Sequence, residues 1–191
     1  LEGYQSQLTD EERYILAYSY ANLIVKTWAR TATDNNLLAV VLQMAAKDLF
    51  GLNDKALERQ RKVEVFPLAA DFYPHLYPVL RHTFKVIYEE TQEVLKKMGV
   101  DYIVLARGVY EVPIPVTFAP TSFQHQPLNS YTTDPSTAYG FGDIWFATIV
   151  PRQRIFACPL TGMGCLEQRE FLVIGDDLPV VIFQKSAQEG G

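Results

Sequence analysis

At Gly99 the hydrophobic pattern of this chain changes period, and that change limits its architecture more than any other feature. Ahead of it, Leu80, Phe84, Ile87, Val94, Leu95 and Met98 keep the spacing of one helix face, predicting a helix from Val79 to Met98 that Gly99 closes. Behind it the apolar runs are short. Tyr102 to Ala106, Ile144 to Val150, Arg154 to Cys158, Phe171 to Ile174 and Val180 to Phe183 predict strands, the second and third pairing across Pro151-Arg152-Gln153. Val112 to Phe118 alternates but contains Pro113 and Pro115, which suits an edge or a loop.

The first half reads as helical. Thr9-Asp10-Glu11-Glu12 has the form of a capping box and opens a helix to about Trp28. Asp34-Asn35-Asn36 precedes a second helix, Leu37 to Phe50, ended by Gly51, and Asn53 to Lys62 is a shorter, charged candidate. A Pro- and aromatic-rich stretch, Phe66 to Pro78, separates these from the helix at Val79. Helices first and strands afterwards predict an α+β protein, not an alternating parallel sheet. The expected division is a helical region 1–79, packed on or continuous with a core at 80–185, and a flexible tail at 186–191.

With 191 residues, 48% of them hydrophobic and 20% charged, the chain suits one ordinary domain with a sizeable core. No apolar run approaches the ~18 residues of a membrane span, and the start lacks the basic-then-apolar pattern of a signal peptide. The net charge of −5 argues against a broad basic surface for duplex nucleic acid. Residues 1–100 carry twelve Lys and Arg against thirteen Asp and Glu, residues 101–191 five against nine. Cations are therefore scarce in the second half, which gives weight to Arg107, Arg152, Arg154 and Arg169. Cys158 and Cys165 lack zinc-ligand spacing and are expected as free thiols, a disulfide across the intervening loop being the alternative.

Three places carry chemistry. Arg107-Gly108 ends the first apolar strand, where a guanidinium fork suits a phosphate and glycine admits a ligand to the backbone. Ser130-Tyr131-Thr132 lies in a hydroxyl-rich run entering Asp134-Pro135, a helix start. Gln168-Arg169-Glu170 stands directly before the strand Phe171 to Ile174. Each has an ordinary explanation of its own: a surface salt bridge, a helix cap, a polar turn. His75, His82 and His125 are scattered, and neither a P-loop nor a GxGxxG turn is present, so a Rossmann mode of dinucleotide binding is not expected.

In order and at strand ends, the three motifs resemble the mono-ADP-ribosyltransferase superfamily, in the branch that runs arginine, Ser-x-Thr, Gln/Glu-x-Glu. The resemblance spans roughly Leu80 to Phe183 and is similar to the domains attached to phage head-morphogenesis proteins and bacterial polymorphic toxins. It implies N-terminal helices followed by a mixed or antiparallel split β-sandwich. It also implies NAD as substrate, no metal, and transfer of ADP-ribose to a macromolecular acceptor, protein or nucleobase. Breaking the nicotinamide–ribose bond leaves an oxocarbenium-like cation that a fixed carboxylate stabilises. On this resemblance Glu170 is the catalytic carboxylate, Ser130 orients it, Arg107 binds phosphate, Gly108 offers its backbone to the nicotinamide amide, and Thr132 supports the strand end or meets the nicotinamide side. Tyr139 and Phe141 are candidates to cover the nicotinamide ring, with core packing as their alternative. Gln168 replaces the glutamate usual in relatives that modify arginine; it donates and accepts but cannot act as a base, which disfavours an arginine acceptor. Glu167 and Arg169 are expected to face solvent.

Two other functions stay open: an NAD glycohydrolase on the same fold, and a non-enzymatic phage structural or interaction protein with an inactive domain. The expected setting is the cytoplasm of the producing cell or of a target cell, reached by delivery within a larger protein, with an antitoxin or immunity protein as partner and no membrane.

Overall fold

The computed structural model describes residues 9–12, 15, 19, 23, 28, 36–110, 120–123, 125–142, 144–161, 163–175 and 178–184. The capping box at Thr9 forms as the sequence predicts. The Thr9 amide and hydroxyl both donate to Glu12 Oε2, at 2.8 and 2.9 Å, and the Glu12 amide returns a bond to Thr9 Oγ1. Asp10, Glu11, Glu12, Ile15, Ser19, Leu23 and Trp28 are helical. The expected edge or loop at 112–118 and the tail at 186–191 lie outside the described residues.

Helix α1 (Leu37–Phe50) starts at Asn36, whose side chain accepts from the Ala39 amide, and ends at Gly51 with a left-handed φ of 63°. Both are local signals, and both match expectation. Its Val40, Val41, Leu42, Ala45 and Ala46 are wholly buried, so it runs through the core and not over the surface. Two short 3-10 turns, Asp54–Leu57 and Gln60–Lys62, lead to α2 (Phe66–Lys97).

Helix α2 corrects the sequence reading, because it begins at Phe66 and not at Val79. Pro67 fits its first turn, but Pro74 and Pro78 lie inside it. Each interior proline removes a helical hydrogen bond and crowds the preceding turn. The contacts of Tyr73, Leu76 and Tyr77 with the main core offset that loss. The helix therefore runs without a break through the expected boundary at residue 79.

Among the described residues seven strands follow: β1 (Tyr102–Val109), β2 (Thr121–Phe123), β3 (Leu128–Thr132), β4 (Ile144–Pro151), β5 (Ile155–Ala157), β6 (Glu170–Ile174) and β7 (Leu178–Gln184), with a short helix α3 (Pro135–Gly140) after β3. Helices and sheet make the described chain a mixed α+β protein. The sheet order is β2-β7-β4-β1-β3-β6-β5, and every pairing is antiparallel. Strand β5 pairs with β6 and not with β4, contrary to the hairpin expected across Pro151. Both edges of β4 are taken by β1 and β7, and the 3-10 turn Arg152–Arg154, tied by its first amide to the Asp101 carbonyl, carries the chain to the other side. Strand β2 had no counterpart in the sequence reading.

The pairing is uneven. Strands β1 and β4 share eight opposed residue pairs and β3 and β6 share five, but β1 and β3 meet at one alone, Ala106 opposite Thr132. The sheet is thus two blocks joined at a seam. One core packs α1 and α2 against the second block, with Phe84 and Phe156 rings 4.8 Å apart; the other joins Leu105, Phe146 and Ile182 of the first block to Tyr131, Phe171 and Val173 of the second. Burying each such ring contributes about 2 kcal/mol. Cys158 and Cys165 are free thiols. Among the described residues no helix is long and apolar enough to cross a membrane.

Candidate functional site

The three motifs stand on or beside adjacent strands, β1, β3 and β6. Ala106 faces Thr132 across the seam, and Thr132 faces Glu170 on the next strand, so one row crosses β1, β3 and β6. Arg107 does not end its strand as expected: β1 continues to Val109, with Arg107 opposite Phe146 of β4.

Past the single pair the two strands part, and Arg107 spans the opening. Its Nη1 donates to Asn129 Oδ1 and to the Ser130 carbonyl, each at 3.4 Å. Long charge-assisted contacts thus stand where a full ladder would hold backbone bonds. The guanidinium carbon also lies 5.9 Å from the centre of the Tyr131 ring, within cation–π range. Asn129 is itself fixed, donating to the Gln126 carbonyl and accepting from the Gln126 amide. The Tyr131 hydroxyl is hydrogen-bonded to Nε2 of the buried His125. Burial holds the Tyr131 phenol well above its usual range, and Arg107 and Arg154 offset only part of that shift, so it stays neutral at ordinary pH.

A cavity of about 260 Å³ opens at this place. It is lined by Arg107, His125, Gln126 and Asn129 and, from the connection between α1 and α2, by Lys55, Ala56, Glu58, Arg59 and Lys62.

Glu170 begins β6 and is 7% exposed. Its Oε1 accepts from the indole Nε1 of Trp28 at 3.1 Å, and its Oε2 accepts from the Cys165 amide at 2.6 Å. Thr132 Oγ1 donates to the Gln168 carbonyl at 2.7 Å and accepts from the Asp134 amide at 3.0 Å. The segment before Glu170 is a turn and not extended chain. The amides of Gln168 and Glu170 both donate to the Cys165 carbonyl, and Arg169 takes a φ of 48°. Gly164, at φ 112°, lies against the carboxylate: a Cβ there would stand 3.1 Å from Glu170 Oε2. Glu167 and Arg169 are exposed, as expected, and Gln168 is half-buried.

Thr132, Gln168 and Glu170 therefore form one cluster, whereas Arg107 bonds to Asn129 and Ser130 and lines a cavity that none of the three borders. Ser130 does not reach Glu170; its neighbour on β6 is Leu172, and it is exposed. The donors that orient the Glu170 carboxylate are Trp28 and Cys165, not the serine. Gly108 lies under α3, where an added Cβ would stand 2.1 Å from the Ala138 carbonyl oxygen, so packing alone requires glycine there. Tyr139 and Phe141 are 45% and 46% exposed, which removes core packing as their explanation.

Sequence reasoning missed Trp28, which it took only as a helix end, and the cations at 55–62. The second group carries a readable signal, since Lys55, Arg59 and Lys62 keep the spacing of one helix face. Among the described residues no group of His, Cys, Asp and Glu could hold a metal ion. Comparison with family models, with curated proteins and with solved structures finds no match to this chain.

Proposed function

We propose that this chain is an NAD-dependent mono-ADP-ribosyltransferase, with the divided sheet as its split β-sandwich core. It would break the nicotinamide–ribose bond and pass ADP-ribose to a macromolecular acceptor other than arginine, as a toxin or phage-linked effector does. The observation that carries the reading is the row Ala106, Thr132, Glu170 across three adjacent strands, at a seam that opens beside Arg107.

In this reading Arg107 holds a phosphate with its planar fork. The 260 Å³ cavity is smaller than the roughly 300–1,000 Å³ that whole ligands occupy, so it takes only the phosphate-bearing part of a dinucleotide. Glu170 opposes the positive charge that develops on the ribose. Two N–H donors hold its carboxylate in one orientation, and each oxygen keeps a further lone pair for a ribose hydroxyl. Its near-complete burial strengthens its field on a nearby cation. The exposed rings of Tyr139, on the helix that covers Gly108, and of Phe141, the residue that caps that helix, can meet a flat nicotinamide. Gln168, half-buried beside Thr132, faces the acceptor with an amide that both donates and accepts.

Incubating the chain with NAD labelled in its adenylate half, with and without cell lysate, tests the reading. Label is expected on protein or nucleic acid. Free ADP-ribose with no labelled macromolecule would make the chain a glycohydrolase instead, and intact NAD under all conditions would refute both.

A further inference from the structure

Helix α2 carries a second apolar pattern besides the one that faces the core. The main core takes Tyr73, Leu76, Tyr77, Leu80, Phe84 and Ile87. Leu68, Phe72, His75, Val79, His82 and Val86 recur instead at steps of four, three, four, three and four, the spacing of one seam along a helix. Leu68, Phe72 and Val86 are 50%, 49% and 40% exposed, His75 and His82 are exposed, and Val79 is half-buried. Glu89, next in the series, ends it. Pro74 and Pro78 lie beside this row and not in it. Four apolar side chains in one row at the surface form a stripe that a partner can cover.

The stripe is symmetric about Tyr77. Leu68 and Val86 lie nine residues from it on either side, Phe72 and His82 five, His75 and Val79 two. A second copy running antiparallel about a two-fold axis therefore sets Leu68 against Val86, Phe72 against His82 and His75 against Val79, each twice. Every one of these layers has an apolar side chain on at least one side. The charges beside the stripe agree with the same register. The row next to it reads Asp71, Pro78, Lys85 at seven-residue spacing. In an antiparallel pair this row meets itself, so Asp71 faces Lys85 of the second copy, twice, and Pro78 faces Pro78. A parallel pair would set Asp71 against Leu76 instead. Lys85 lies 3.8 Å from the exposed Glu89 of its own helix, and its ammonium keeps further donors for a second carboxylate.

We infer that α2 is a dimerisation surface: a second copy of this chain packs antiparallel on the stripe from Leu68 to Val86, and the Asp71–Lys85 pairs fix the register. At a 1.5 Å rise the stripe is roughly 27 Å long, and on a helix about 10 Å across it covers an area at the lower end of specific interfaces. That size, and two imidazoles from each copy, suit a dimer that forms and dissociates rather than an obligate one. The opposite face of α2 stays on the core, so pairing requires no change in the fold. The dimer does not rest on the transferase reading, since the stripe shares no residue with the seam or with the cluster around Glu170.

Sedimentation equilibrium of the intact chain tests this. The parent should show a reversible monomer–dimer equilibrium with a Kd on the order of 10 µM. Phe72→Glu sets a carboxylate into two layers and should raise Kd at least ~100-fold. Asp71→Lys and Lys85→Asp should each raise it about tenfold, because like charges then meet. The two together exchange the charges and should return Kd to within ~3-fold of the parent. All three side chains are exposed, so the fold should survive, as circular dichroism would verify. A chain that stays monomeric at ~100 µM, which would leave the stripe to a helix of another protein, overturns the inference. So does a dimer that Phe72→Glu leaves intact, or a double variant that binds no more tightly than the single ones.

Discussion

The indole N–H of Trp28 donates to Glu170 Oε1 at 3.1 Å, joining residues 142 positions apart. With the Cys165 amide on Oε2, it makes Glu170 a double acceptor in a buried place. Glu170→Gln keeps one acceptor but turns an NH₂ group against one of the two donors. The variant is expected to lose about 1–3 kcal/mol of stability in urea denaturation, and NAD turnover should fall by at least ~10²-fold. Trp28→Phe keeps a ring and loses the donor, and in a double-mutant cycle the two changes should couple by roughly 0.5 kcal/mol or more. Strict additivity would mean that the contact does not hold in solution.

Gln43 on α1 reaches the first residue of β3. Its Nε2 donates to the Leu128 carbonyl at 2.9 Å and its Oε1 accepts from the Leu128 amide at 2.7 Å, with Gln43 buried at 4% exposure. Gln43→Leu would leave both backbone groups without their partner. A loss of about 2–4 kcal/mol is expected from two unsatisfied buried groups. A loss below ~1 kcal/mol would show that water or a shifted strand takes over.

Gly108→Ala should displace α3, because the new methyl carbon would stand 2.1 Å from the Ala138 carbonyl oxygen and 3.0 Å from the Phe141 carbonyl carbon. Backbone atoms cannot rotate away, so a cost of about 1–3 kcal/mol is expected. Thermal denaturation measures it. A neutral variant would contradict the close approach of α3 to β1.

Asp134 caps α3, accepting from the Ser136 amide and hydroxyl at 2.9 and 2.6 Å and from the Thr137 hydroxyl at 3.0 Å. The bond from the Ser136 hydroxyl is the main cause that holds its carboxyl below the usual range. A folded value below the unfolded one means that this group stabilises the fold above about pH 4 and loses that contribution as acid protonates it. Asp134→Asn still accepts bonds but does not titrate. Its stability should fall less steeply than the parent's between about pH 4 and pH 2, and parallel curves in urea denaturation would disprove the assignment.

Much of the architecture was legible because its signals are local. The cap at Asn36, the left-handed Gly51 and the box at Thr9 depend on neighbours within a turn, and all three form. Elements whose fate depends on distant partners were not legible. Pro74 and Pro78 read as breaks, but the ring contacts of Tyr73 and Tyr77 hold them in a helix. The adjacency of Ile144–Pro151 and Ile155–Ala157 in sequence suggested a hairpin, but β1 and β7 already occupy both edges of the first.

The candidate site divides in the same way. By itself the sequence determined the residue types on offer, an arginine, a hydroxyl pair and a carboxylate, and placed each on or beside a strand through short-range periodicity. Only the tertiary structure decided that β1, β3 and β6 lie side by side, that β1 and β3 part after one pair, and that Trp28 and Cys165, not Ser130, hold Glu170. It also placed Lys55, Arg59 and Lys62 in the lining of the cavity that Arg107 borders. Periodicity reports which face of an element is buried; which edges pair, and what the unpaired ones leave open, depends on contacts between residues far apart in the chain.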